Sequence, residues 1–120
     1  MFETALLILY VNDPAASARF YRNLLREEPV EQSPTFAMFR LSNWLRLGLW
    51  SRHTVEPPAQ ATGGGAELAI LAEDVEAVHA DCSARGVPIA QPPADLDFGR
   101  SFVANDPDGH RIRVYRPNAR

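Results

Sequence analysis

The sequence predicts an α+β fold built from two βαβββ modules that form curved, mixed sheets. An internal repeat, matching helix starts and matching hairpin signals together predict it. Leu6–Val11 is an apolar strand followed by Asn12-Asp13-Pro14 and a helical stretch over Ala15–Arg26. Glu67–Ala72 is a second short strand, followed by Glu73-Asp74 and a helical stretch over Val75–Arg85 that Gly86 stops. Asp13 and Asp74 stand where a side-chain oxygen caps a helix, and Pro14 suits a first helical position.

The strands that follow each helix correspond as well. Phe36–Leu41 and Trp44–Trp50 are separated by Ser42-Asn43, a hairpin-type turn. Ser101–Ala104 and Arg111–Tyr115 flank Asp106-Pro107-Asp108-Gly109, a strong turn signal. Overlaying the last strands sets Arg46-Leu47-Gly48-Leu49-Trp50 on Arg111-Ile112-Arg113-Val114-Tyr115. Each half therefore reads as strand, helix, then two or three strands. Ala16, Phe20 and Leu24 in the first helix recur at three- and four-residue spacing, as do Val75, Val78 and Cys82 in the second. These are the expected buried stripes, with Phe20 and Tyr21 as core anchors. The expected domain is a single unit over 1–120: a first module over about 1–56, a linker over 57–65 and a second module over about 66–117.

Composition narrows the function classes. With 120 residues, 46% hydrophobic and 22% charged, the chain is long enough for one compact core. The apolar run Ala5–Val11 is too short to cross a bilayer, and Met1–Val11 lacks the basic start and cleavage site of a signal peptide. The expected location is the cytoplasm. A formal charge of −3 offers nucleic acid no general attraction, so neither nucleic acid nor membrane is an expected partner. All 12 basic residues are arginine, which removes any Schiff-base or phosphate-loop lysine. Cys82 is the single cysteine, expected as a small buried thiol, so no disulfide forms within the chain. Gly63-Gly64-Gly65 has no lysine after it and reads as linker.

The two modules, opened by Val11-Asn12-Asp13 and Phe20-Tyr21 and closed by Asp106-Pro107-Asp108-Gly109-His110, resemble the glyoxalase/bleomycin-resistance/dioxygenase (vicinal oxygen chelate) superfamily. The likeness covers essentially the whole chain. Tyr10-Val11, Phe20-Tyr21-Arg22, Glu28-Pro29-Val30, Leu49-Trp50-Ser51, Phe98-Gly99-Arg100-Ser101-Phe102 and Ile112-Arg113-Val114 are similar to its drug-binding branch, which confers resistance to phenazine antibiotics. That resemblance implies a homodimer whose paired sheets enclose two cavities, each holding a flat aromatic drug.

The superfamily's enzymes hold a divalent metal on cavity-facing strand positions. Carried over, those positions fall on Leu6, Gly48, Glu67 and Arg113. Leucine, glycine and arginine are not metal donors here, so the expectation is a metal-free site with no cofactor. His53, His79 and His110 share no spacing that would aim two imidazoles at one point.

Strand alternation then assigns faces, if Leu6 and Arg113 face the cavity. Ile8, Tyr10, Arg46, Gly48, Trp50, Glu67, Ala69, Leu71, Arg111 and Tyr115 share that face, while Leu7, Leu9, Val11, Leu47, Leu49, Ile112 and Val114 turn to the helices. Tyr10, Trp50 and Tyr115 could stack on a planar ring, Gly48 would leave it room, and Arg111 or Arg113 would meet an acidic group. Glu67 would pair with Arg113 in the empty site. Phe36, Met38 and Phe39 lie on a strand whose inward set alternation leaves open; Phe39 is taken as the lining residue, with Phe98 beside it. Arg100 is expected at the cavity mouth. Trp50 and Tyr115 packing a dimer interface is the alternative.

The expected function is therefore sequestration of a planar aromatic antibiotic for self-resistance, with delivery to an exporter a compatible extension. Competing readings are a metal-dependent glyoxalase or dioxygenase, a metal-free lyase with Glu67 as general base, and a small-molecule sensing module.

Overall fold

The computed structural model describes residues 3–119, so the two ends of the expected span 1–120 lie outside the described residues. The chain divides into two compact units, one up to Gly63 and one from Gly64. The division falls inside the Gly63-Gly64-Gly65 run.

The first unit runs β1 (Ala5–Val11), α1 (Pro14–Leu25), β2 (Glu31–Gln32), β3 (Phe36–Arg40) and β4 (Leu45–Ser51). Its sheet has the order β1-β4-β3-β2, with β1 parallel to β4 and the other pairs antiparallel. The Asp13 carboxylate accepts a hydrogen bond from the Ala15 amide at 3.0 Å and Pro14 opens the helix. α1 packs on β3 and β4, burying Pro14, Ser17, Ala18 and Tyr21. The expected stripe Ala16, Phe20, Leu24 is off by one position, because the helix face packed on β3 and β4 is the one that carries Ser17, Ala18 and Tyr21. Tyr21 is fully buried, whereas Phe20 is half-buried and meets its ring edge-on at 5.0 Å. Beneath the helix lie Val11, Ala37, Phe39, Leu47 and Leu49, all buried.

The second unit repeats the order: β5 (Glu67–Leu71), α2 (Val75–Ala84), β6 (Ile89–Leu96), β7 (Gly99–Asn105) and β8 (Arg111–Pro117). Its sheet runs β5-β8-β7-β6, with β5 parallel to β8. The Asp74 side chain accepts from the Ala77 amide at 3.0 Å. At the far end the Val87 amide donates to the Cys82 carbonyl and the Gly86 amide to that of Ser83, a Schellman closure around left-handed Gly86. Val75, Cys82, Leu68, Phe102, Ala104, Ile112 and Val114 form this core, so the thiol is a packed side chain. The β7–β8 turn is tied by Asp106, whose carboxylate accepts from the amides of Asp108 and His110.

β6 was not legible as a strand. It carries Pro92-Pro93, which lack amide donors, and its pairing with β7 shifts register on both sides of Gln91. An edge strand tolerates this because the prolines can face away from the ladder. Among the described residues, no helix is long and apolar enough to cross a membrane.

Candidate functional site

Each sheet has one face under its helix and one face turned away from it. Alternation along β1 and β4 puts Leu6, Ile8 and Trp50 on the second face of the first unit, and the β3–β4 register adds Phe36 opposite Trp50. These four line an apolar hollow of about 350 Å³. The rings of Phe36 and Trp50 meet at right angles, with centroids 6.3 Å apart. Leu6, at 43% exposure, opens the hollow to solvent.

Gly48 explains why Phe36 can lie there. A Cβ at this position would stand 2.9 Å from the end of the Phe36 ring. The missing side chain thus makes room for Phe36, not directly for a ligand as expected. Tyr10 is beside Trp50 in register but outside the residues lining the hollow. Arg46 is opposite Leu6 in register, half-buried, with Nη1 enclosed and without a hydrogen-bond partner. Phe39 is a correction. It pairs with Leu47, is 0% exposed and sits 6.4 Å from the Tyr21 ring, in the core beneath α1. The register that sets Phe36 against Trp50 forces Phe39, three residues on, to the other side.

In the second unit, Glu67, Ala69, Phe98, Arg113 and Tyr115 line a hollow of about 410 Å³. Phe98 sits in the β6–β7 hairpin, where its carbonyl accepts from the Asn118 amide at 2.8 Å. Its ring meets that of Tyr115 edge-on at 6.2 Å and lies 5.8 Å from the Arg113 guanidinium carbon, a cation–π distance. Gly99 permits this close approach of hairpin to β8: a Cβ there would be 2.1 Å from the Arg116 carbonyl oxygen.

Arg113 is held from three sides. Its Nε and Nη2 donate to the two Glu67 oxygens at 2.6 and 3.3 Å, and its Nη1 donates to the Ser101 hydroxyl at 2.9 Å. The Arg113 hydrogen bond, with the nearby charges of Arg113 and Arg111, holds the Glu67 carboxyl below its ordinary range despite some desolvation. A carboxylate so held is a weak general base, which counts against the lyase reading. A second, more polar cleft of about 270 Å³ adjoins Arg113, lined also by Gln91, Val103 and Arg111. Ser101 and Gln91 were missed. Ser101 gives no sequence signal without the β7–β8 register, and Gln91 lies on the unrecognised β6. Arg100 faces α2, where it pairs with Glu76 at 2.7 Å, so it does not cap the cavity mouth. Trp44 lies before β4, 56% exposed.

A family model described as the glyoxalase/bleomycin resistance protein/dioxygenase superfamily matches residues 4–114. The chain belongs to this superfamily. One superfamily relative, the phenazine antibiotic resistance protein EhpR of Enterobacter agglomerans, is 32% identical over 116 residues, covering 91% of this chain and 88% of that protein. The solution structure of protein ATC0852 from Agrobacterium tumefaciens is 51% identical, covers 99% of this chain and 100% of that one, and superposes with a TM-score of 0.86. A glyoxalase/bleomycin resistance protein from Catenulispora acidiphila superposes at 0.72 with 28% identity, covering 95% and 97% of the two chains.

The metal that the superfamily's enzymes use does not fit the side chains at its positions. Leu6 lines an apolar hollow, Gly48 lies against Phe36, and Glu67 is engaged by the cation Arg113. Among the described residues, no three His, Cys, Asp or Glu side chains are grouped to hold an ion. A lone carboxylate beside two guanidiniums favours anions over a divalent cation.

Proposed function

We propose that this chain binds a planar aromatic antibiotic of the phenazine type in the cytoplasm and protects by sequestering it, without metal, cofactor or turnover. One observation carries the reading: on each sheet's helix-free face an edge-to-face aromatic pair borders an open hollow, Phe36–Trp50 in one unit and Phe98–Tyr115 in the other. Aromatic walls suit a flat ring, and hollows of this size fall in the range of small-molecule clefts, roughly 300–1,000 Å³. The 32% identity to a phenazine antibiotic resistance protein supports the same ligand class. Exposed Leu6, Leu71 and Phe98 support a homodimer in which a partner's sheet covers these faces.

The test is a titration of Trp44→Phe protein, in which Trp50 is the one remaining tryptophan, with phenazine-1-carboxamide. Saturable quenching at stoichiometric ratio, with the compound recovered unchanged, is the expected result. Absence of quenching up to the solubility limit sinks the reading, as does conversion of the compound. Elemental analysis of protein purified without chelator should show well under one equivalent of zinc, nickel, iron or manganese.

A further inference from the structure

We propose that Glu67 is a built-in competitor for Arg113, which an acidic aromatic ligand must displace, and that Arg111 receives the displaced carboxylate. The inference rests on the binding reading above and adds the ligand's charge and the means of selecting it.

Three facts carry it. First, Glu67 grips Arg113 through both oxygens, as a ligand carboxylate would. Arg113 stands where the apolar hollow meets the polar cleft, so a ring over Phe98 and Tyr115 would present a substituent to it. Second, the two partners are unequally anchored. The Glu67 side chain is 33% exposed against 16% for Arg113, so the carboxylate can swing into water while the guanidinium stays, kept by Ser101 and the Phe98 face. Third, a second berth is waiting. Arg111 is the register partner of Glu67 on β8, is exposed, and its guanidinium makes no hydrogen bond or ion pair among the described residues. Its charge already acts on Glu67.

Displacement thus exchanges one ion pair for two: ligand with Arg113, and Glu67 with Arg111. Among the described residues, two guanidiniums and one carboxylate are the charged side chains lining the two hollows. The net charge of +1 left on this face balances one ligand acid. A small acid without a ring gains nothing from Phe98 and Tyr115, so it loses to the tethered Glu67, whose effective concentration is high. The site therefore selects for ring and acid together.

Calorimetric titration with phenazine-1-carboxylate and phenazine-1-carboxamide tests this, the readout being the ratio of acid to amide affinity. The ratio should exceed one in the parent, rise about tenfold in Glu67→Gln, and fall about tenfold in Arg111→Gln. Acetate, an acid without a ring, should not compete measurably. If both compounds bind with equal affinity and neither variant moves the ratio, the competitor role is wrong while aromatic binding stands. If neither compound binds the parent, both readings fall.

Discussion

The Arg113 guanidinium and the Glu67 carboxylate, on parallel neighbours β8 and β5, form a two-pronged ion pair of 2.6 and 3.3 Å across one face of the sheet. They are diagonal neighbours, because Glu67 is opposite Arg111 in register and Ala69 is opposite Arg113. Long side chains bridge that diagonal spacing and leave the small Ala69 as the floor of the hollow.

This pair should stabilise the fold in a pH-dependent way. Its carboxyl is held below the ordinary value of 4.5, so the folded state binds the proton less readily than the unfolded chain. The stabilisation is complete above that value and is lost as the pH falls through the lower folded-state value. Glu67→Gln should cost about 1 kcal/mol in urea unfolding near neutral pH. The gap between parent and variant should close on acidification; a gap that stays constant would show that charge is not the source.

Trp50→Ala should weaken binding of a phenazine roughly 5- to 150-fold, since a ring stacked on an aromatic side chain contributes about 1–3 kcal/mol. Trp44→Ala should change binding little, because Trp44 lies outside β4 and away from the hollow's lining. Calorimetry on both variants checks this, and equal losses would remove Trp50 from the binding surface.

Phe39 and Phe36 should separate stability from binding. Phe39→Ala empties a fully buried site against Tyr21 and should cost about 3–5 kcal/mol. Phe36→Ala should cost under about 2 kcal/mol, yet alter ligand affinity, because its ring walls the hollow. Denaturant unfolding and a titration on the same samples distinguish the two; the reverse pattern would overturn the face assignment.

Gly99→Ala should lower stability by about 1–3 kcal/mol, since its Cβ meets a carbonyl that cannot rotate away, at a φ of +153. The strain falls where the hairpin carries Phe98, so ligand affinity should drop with stability. Unchanged unfolding would mean that β7 and β8 separate there without cost.

Light scattering at tens of micromolar should report a mass about twice the 13.3 kDa of one chain. A monomer at that concentration would contradict the proposed covering of the open faces.

The sequence by itself determined what depends on neighbours along the chain. The Asp13 and Asp74 caps, the turn at Asp106–Gly109, the repeat of strand, helix and strands, and the alternation along β1, β4, β5 and β8 are all short-range patterns. They sufficed to bring Trp50, Glu67, Arg113 and Tyr115 to helix-free faces, because β4 and β8 show one aliphatic and one mixed face. Tertiary structure decided wherever both faces of an element are comparably apolar, or where a partner lies on another strand. Phe36-Ala37-Met38-Phe39 can turn either way; pairing Phe36 with Trp50 buried Phe39. Ser17 is polar by composition, but its place on the helix face packed against β3 and β4 buried it. Pro92-Pro93 argue against a strand until an edge position removes the need for their missing donors. Ser101 becomes a partner of Arg113 only through the β7–β8 register, a pairing between residues 12 positions apart that no local pattern encodes.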